Sequence, residues 1–504
     1  MLGFLLFLLA IPLSESGAGA RLDERLFAGK SANERVGLLV VLRERADLSG
    51  AASIPDRLER RRFVYDSLEA HAEATQAPVR RELQRLGVPF RPHFLVNAVE
   101  VEADRETALR LASRDDVSRI APNRFSKLEM PTPSRLPRVQ ESAPEELVEP
   151  NLTLIGAPEL WARGTTGQGI VVGVADTGFQ WDHPALKDRY RGWDGAAASH
   201  DYNWHDAVHD ASSTNACGSD SAAPCDDNGH GTGTAGFAVG RDGDHTIGVA
   251  PGASLIGCRN MDAGTGTPAR YIECFEWFLA PTDSRGENPR PDLGADVVNN
   301  SWGCSVAEGC TDPDILNDTV DAMRAAGIAM SFSAGNRGAF CGTLSGAPAV
   351  GKGAFAVGAT WLDDSIAAFS AFGPSVSEGV SRIKPDLTAP GVELHTSGLG
   401  GSYVGHFSGT SASAPHVAGA FALLWSAVPG LRGEVDATEE ILKRSAVPLT
   451  SAVDCGIYLG SNVPNVVFGW GRLDVAAAEA VASERNAPDP VPDGRTTRVV
   501  PPRP

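Results

Sequence analysis

Between residues 151 and 482, five apolar runs alternate with helix-like stretches: GIVVGVADTG, ASLIGC, ADVVNNSWG, GIAMSFSAGN and AFAVGAT. Their apolar residues are nearly continuous, whereas a strand with one wet face would alternate apolar and polar side chains. Strands of this kind must be covered on both faces, and the segments between them, such as residues 314–326, supply the cover. The pattern predicts one α/β domain over 151–482, a mostly parallel sheet with helices on both faces.

The chain ahead of this domain has a different grammar. Residues 1–20 hold an apolar run from Leu2 to Leu13, too short to span a bilayer, then small residues up to Ala20, which is the pattern of a secretory signal peptide. After it come VGLLVVL from Val36, a helical stretch from Asp56 to Gly87, the strand-like run HFLVNAVEVEA, a short helix at RETALRLASR and a strand at VSRIA. Together these make a small α+β unit. From Pro131 to Pro150, Pro, Ser, Arg and Glu occur without periodicity, as in an exposed linker, and residues 487–504 form a Pro-rich tail expected to be disordered. No later segment is long and apolar enough to span a membrane, so no membrane partner is expected once the signal is gone.

Charge separates the same two regions. Residues 21–130 carry 20 Lys and Arg against 18 Asp and Glu, a net of +2, while the rest of the chain beyond the signal carries 24 against 44, a net of −20. An acidic body repels nucleic acid, and no nucleic-acid partner is expected. The basic run RLERRR at 57–62 is open to two readings, attraction of the N-terminal part to the acidic body or one solvated helix face. Eight cysteines in an exported chain imply disulfides. The close pairs Cys217 with Cys225 and Cys304 with Cys310 are the local expectation, and spacing leaves Cys258, Cys274, Cys341 and Cys455 unassigned. No pair of CxxC units argues for zinc.

Polar residues at the carboxyl ends of parallel strands carry the most functional weight, because ligands bind there. Asp176 closes GIVVGVADTG, where a half-buried carboxylate needs a partner. His230 lies in DDNGHGTGTAG, among glycines that let a helix pack closely behind its imidazole. Ser411 opens the helix SASAPHVAGAFALLWSA, whose positively polarised N-terminus suits an oxyanion, with Pro415 expected near its first turn. Each residue alone also fits a structural role, as salt-bridge partner, core histidine or helix cap. Together they supply nucleophile, base, orienting carboxylate and oxyanion donors, the four parts of an acyl-transfer site.

The order Asp, His, Ser and the motifs around them identify the chain as resembling the subtilisin-like serine proteases (subtilases), in the bacillopeptidase F-like branch. ADTGFQWDHPAL is similar to the segment carrying that family's Asp, GHGTGTAG to the one carrying its His, and GTSASAPHVAG to the one carrying its Ser. SFSAGNRG resembles the segment whose Asn side chain helps bind the oxyanion, which implies Asn336 beside the backbone N–H of Ser411. NNSWG resembles the strand that pairs with extended substrate, implying Ser301, Trp302 and Gly303, with Gly346 at the pocket floor. Thr410, Ser413 and Ser408 are read as structural, and His416 as a packing residue.

The resemblance implies a secreted serine endopeptidase, acting on proteins or peptides without a catalytic cofactor. Residues 21–145 then form a prosegment, an intramolecular inhibitor whose tail lies in the cleft, with the maturing cut within Pro131–Pro150. Large apolar side chains are expected before the cut in substrates. Two departures stand out. Gly233 and Thr234 replace the family's usual His-Val pair beside the base, and Ala185 stands where an acidic calcium ligand often follows HP. A structural calcium therefore rests on Asp242 and Asp244, which also fit a plain surface loop. The competing readings are a catalytically silent secreted binding protein on a protease scaffold, and an esterase; the latter would call for Gly-x-Ser-x-Gly after a strand, which the Ser411 segment does not provide.

Overall fold

The computed structural model describes residues 21–22, 24–131, 147–305, 310, 312–338 and 340–486. The signal sequence, most of the linker and the Pro-rich tail lie outside the described residues.

The N-terminal unit is a five-stranded sheet backed by two helices. Its elements are β1 (Arg21–Leu22), β2 (Val36–Leu42), α1 (Arg57–Leu86), β3 (Phe90–His93), β4 (Ala98–Ala103), α2 (Arg105–Ala112) and β5 (Val117–Pro122). The sheet order is β1-β5-β2-β4-β3, antiparallel except for the β1–β5 pair. Asp56 starts α1 by accepting the backbone N–H groups of Leu58 and Glu59, and Gly87, in the left-handed region at φ 65°, ends it. The run HFLVNAVEVEA is not the single strand its composition suggests: Asn97 takes a positive φ of 47° and folds it into a β3–β4 hairpin. Beyond β5 the chain continues as β6 (Ser126–Lys127), which leaves the unit and joins the body.

The body is built on seven parallel strands. They are β7 (Val171–Asp176), β8 (Trp204–Asp206), β9 (Ser254–Arg259), β12 (Val297–Asn300), β14 (Ala329–Ser333), β16 (Phe355–Thr360) and β17 (Leu387–Pro390), in the order β17-β16-β14-β12-β7-β9-β8. The five apolar runs supply five of these strands, and β8 and β17 complete the edges. Helices α3 (His230–Val239) and α6 (Thr410–Ala427) pack on one face, α4 (Pro268–Leu279) and α5 (Asp314–Ala325) on the other. On one side of β7 the strands β12, β14, β16 and β17 add outward in chain order, and on the other β9 lies next to β7 with β8 outside it, so the order reverses between β7 and β12, and Asp176 ends β7 at that switch. Two-stranded pieces surround the cleft: β10 (Met261–Asp262) with β11 (Thr265–Gly266), and β13 (Cys304–Ser305) with β15 (Gly346–Ala347).

The N-terminal unit docks over α4 and α5. Val64 and Leu68 of α1 and Leu95 are buried in one apolar cluster with Phe275, Phe278 and Met323 of the body. The basic run at 57–62 meets the acidic body through three of its arginines: Arg57 and Arg61 lie beside Asp296, and Arg60 reaches Glu434 and the Gly433 carbonyl, while Arg62 stays exposed. Arg119 pairs with Asp312 and Arg91 with Glu273, so basic side chains of the unit meet acidic ones of the body. All eight cysteines are paired: Cys217–Cys225 and Cys304–Cys310 as the spacing suggested, with Cys258–Cys274 and Cys341–Cys455 completing the set. Among the described residues no helix is long and apolar enough to cross a membrane.

Candidate active site

Asp176 and His230 meet because two backbones approach closely. The α3 helix starts at His230, and a Cβ at Gly231 would lie 1.9 Å from the Gly178 carbonyl, so only glycine lets α3 sit against the end of β7. The contact leaves His230 Nδ1 2.7 Å from Asp176 Oδ1, with Thr177 N–H donating to the same oxygen and the Thr234 hydroxyl to Oδ2. Sequence reasoning missed Asp226, which pins this arrangement. Its carboxylate accepts from the Thr177 and Thr232 hydroxyls and from the N–H groups of Asn228, Gly229 and Thr232. It thus caps α3, whose own N-cap, Gly229, has no side chain for the purpose. Burial pushes the Asp226 carboxyl above its usual range, against those donors.

The departure at Gly233 has a steric reason: a Cβ there would lie 2.8 Å from the Phe407 ring, which packs 5.5 Å from the His230 ring. The space a larger residue would need belongs to Phe407. The other departure, Ala185, is buried, and Asp242 accepts the Tyr403 hydroxyl. Among the described residues neither Asp242 nor Asp244 joins a group of three converging ligand side chains; the one such group is Glu149, His245 and His395.

Ser411 is the second residue of α6, and Pro415 falls in the second turn rather than the first. Lacking an N–H, Pro415 frees the Ser411 carbonyl from the helix ladder, and the Ser301 hydroxyl donates to that carbonyl at 2.9 Å. The Ser411 hydroxyl in turn donates to the Ser301 carbonyl at 3.1 Å, while His230 Nε2 is buried with no hydrogen-bond partner. Nucleophile candidate and base candidate are therefore not hydrogen-bonded to each other here. Asn336 is held by its oxygen, which accepts from the N–H and hydroxyl of Thr410, so its Nδ2 faces the cleft. His416 behaves as a packing residue: Nδ1 meets the Ala412 carbonyl, Nε2 meets Asn151, and burial lowers its pKa to about 4.

The cleft is filled by the chain's own N-terminal unit. β6 pairs antiparallel with β11, Leu128 N–H donates to the Gly264 carbonyl, and the Ser126 hydroxyl to the Gly303 carbonyl. The backbone ladder thus runs along Thr265–Gly266, a strand the sequence did not single out, rather than along Ser301–Gly303. The Glu129 carbonyl lies 2.6 Å from Asn336 Nδ2, and the Glu129 carboxylate pairs with Arg337. Ser301, Trp302, Gly303, Gly346, Asn336 and Ser411 line one cavity with Glu129, and Ser305, Ser333 and Thr343 add hydroxyls to its wall. The Trp302 indole itself points into the core, stacked 3.7 Å from the Tyr271 ring.

Comparison with known proteins agrees with this geometry. Residues 167–471, more than half of the chain, match the model of the subtilase family. Bacillopeptidase F of Bacillus subtilis (strain 168) is 36% identical over 442 residues, which cover 84% of this chain and 29% of that protein. Subtilisin NAT of Bacillus subtilis subsp. natto is 32% identical over 281 residues, or 55% of this chain and 61% of its own length. The serine protease AprX of Bacillus subtilis (strain 168) is 31% identical over 303 residues. The chain thus spans less than two thirds of the length of each of these three relatives.

Proposed function

The chain belongs to the subtilase family, and from that premise we propose that it is a secreted serine endopeptidase made as a self-processing zymogen that cuts its own chain after Glu129, just ahead of the Pro131–Pro150 stretch where the sequence placed the cut. One observation carries the reading: the Glu129 carbonyl sits on the amide of Asn336, as the product carbonyl of a cut peptide would.

In this mechanism Ser411 Oγ turns from the Ser301 carbonyl toward His230 Nε2, gives up its proton there, and attacks the carbonyl carbon before the cut. Asp176, hydrogen-bonded to Nδ1, fixes the tautomer of His230 and stabilises the imidazolium. Asn336 Nδ2 and the Ser411 N–H receive the oxyanion. His230 then protonates the departing amine, leaving an acyl-enzyme that water hydrolyses by the same route in reverse. Residues 21–129 act as the inhibitory prosegment, their basic face held on the acidic body. Four disulfides and the apolar leader support an oxidising, extracytoplasmic destination.

The site also speaks to substrate choice. Arg337 and the hydroxyls of Ser305, Ser333 and Thr343 favour an acidic side chain before the cut, in place of the large apolar one expected from sequence. Both partners of the Arg337–Glu129 pair are about one-third exposed, which limits the preference to roughly five-fold.

Mass spectrometry of the purified chain tests the proposal. Wild type should yield a new N-terminus at Met130, and Ser411→Ala should remain uncut. A Ser411→Ala chain opened at the same bond with the same efficiency would show that another protease does the processing.

A further inference from the structure

Three side chains from distant parts of the body converge beside the root of the linker. Glu149 lies just before a short helix, residues 150–154; His245 follows the hairpin turn after α3; His395 lies in the strand Leu394–Ser397 that leads toward α6. The backbone sets up the meeting, because Thr246 N–H donates to the Leu147 carbonyl and Glu149 N–H to the Thr246 carbonyl, which fixes Glu149 alongside His245. His245 Nε2 is then 2.8 Å from Glu149 Oε1, and His395 Nδ1 is 3.0 Å from the same oxygen. One ligand atom from each residue lies within 4.8 Å of the other two.

A hydrogen-bonded cluster accounts for only part of this. The His245–Glu149 contact is a sound hydrogen bond, but both ring nitrogens of His395 are buried without one, although the side chain is only 10% exposed. A buried imidazole with nothing to bind is costly. The Tyr403 ring, stacked 5.1 Å from that of His395 and anchored through its hydroxyl to Asp242, holds His395 in place.

We propose that Glu149, His245 and His395 form a zinc site. Two imidazoles and one carboxylate are a three-ligand set that zinc accepts in tetrahedral geometry, with water in the fourth position. Ligands about 2.0–2.1 Å from such an ion lie about 3.3 Å from one another, so the observed 2.8 and 3.0 Å separations need to open by only a few tenths of an ångström. Calcium takes six to eight oxygen ligands, and this donor set does not meet that need. Bound zinc would clip the segment around Glu149 to the loop behind α3 and to the strand ahead of α6. The body would then stay tied at its N-terminal root after the N-terminal unit has left.

The test uses the full chain carrying Ser411→Ala, which cannot digest itself, stripped with a chelator and dialysed. Cobalt(II) titration should saturate at one equivalent with the visible bands of a tetrahedral ion, which one equivalent of zinc abolishes and excess calcium does not. Zinc should also raise the melting temperature by several degrees. His395→Gln and His245→Gln, made separately in this background, should melt like the parent in chelator yet lose both the cobalt bands and the zinc-induced rise. No saturable binding by the parent, or binding that survives both histidine changes, would overturn the assignment.

Discussion

Raising the pH should loosen the N-terminal unit from the body, and His93 is the group that responds. Its imidazole is wholly buried at the junction, with Nδ1 3.1 Å from Glu276 Oε2 and Nε2 3.9 Å from Glu100 Oε2. Burial opposes protonation, but the charge of Glu276 and its hydrogen bond to Nδ1, with the Glu100 carboxylate near Nε2, outweigh it and raise the pKa to about 10. In the released unit Glu276 is gone and Glu100 alone stays beside the imidazole, so the pKa falls back toward the ordinary value of about 6.5. Because the docked value is the higher one, the stabilisation is complete below about pH 6.5 and disappears as pH rises through about 10. Within that window each pH unit weakens docking by about 1.4 kcal/mol, or tenfold, so the dissociation constant should rise about 100-fold from pH 7 to 9. Glu100, despite the opposing effect of burial, is held below the usual carboxylate range by His93. The measurement is the residual inhibition of the self-cut complex on a chromogenic peptide at pH 7, 8 and 9. His93→Gln should flatten the pH slope. Equal slopes for the two proteins would refute the reasoning.

Asn336→Ala should lower kcat by about a hundred-fold to a thousand-fold with KM nearly unchanged, a loss of the size known for removal of one oxyanion donor in subtilisin, of the same family. An effect confined to KM would remove Asn336 from that role. The Cys341–Cys455 bridge spans 114 residues and Cys304–Cys310 only 6, so removing the first by a double Ser substitution should cost about 4–5 kcal/mol and removing the second about 2 kcal/mol. Denaturant midpoints of the two variants, compared in the Ser411→Ala background, check the ordering.

What could be read from the chain alone was whatever local pattern determines. The five central strands and α1 follow from runs of apolar residues and from Asp56 and Gly87 as caps, and the glycines around His230 announced a close approach that the 1.9 Å clearance at Gly231 bears out. The hairpin at Asn97 was hidden because the residues on both sides of the turn are strand formers. Cys258–Cys274, Cys341–Cys455, the Glu149 cluster and the contact between Glu129 and Asn336 join segments whose separation in sequence carries no signal. Asp226 escaped notice because an aspartate in a polar loop looks like any other until the five groups it accepts from are seen. For Arg57, Arg60 and Arg61 attraction to the acidic body and a solvated face could not be told apart in the sequence, because the acidic partners that meet them lie more than 200 residues away.

The grip of Thr410 on Asn336 affects more than orientation. Thr410 immediately precedes Ser411 and holds the Asn336 oxygen through both its N–H and its hydroxyl, so the amide and the Ser411 hydroxyl hang from the same turn of α6. Thermal motion of that turn carries both groups together. The separation between the Ser411 hydroxyl and the Asn336 amide, the proposed attacking oxygen and oxyanion donor, is then a difference between correlated displacements, smaller than either one. A residue with no part in the reaction thereby keeps the reacting geometry steady while the surrounding loops fluctuate.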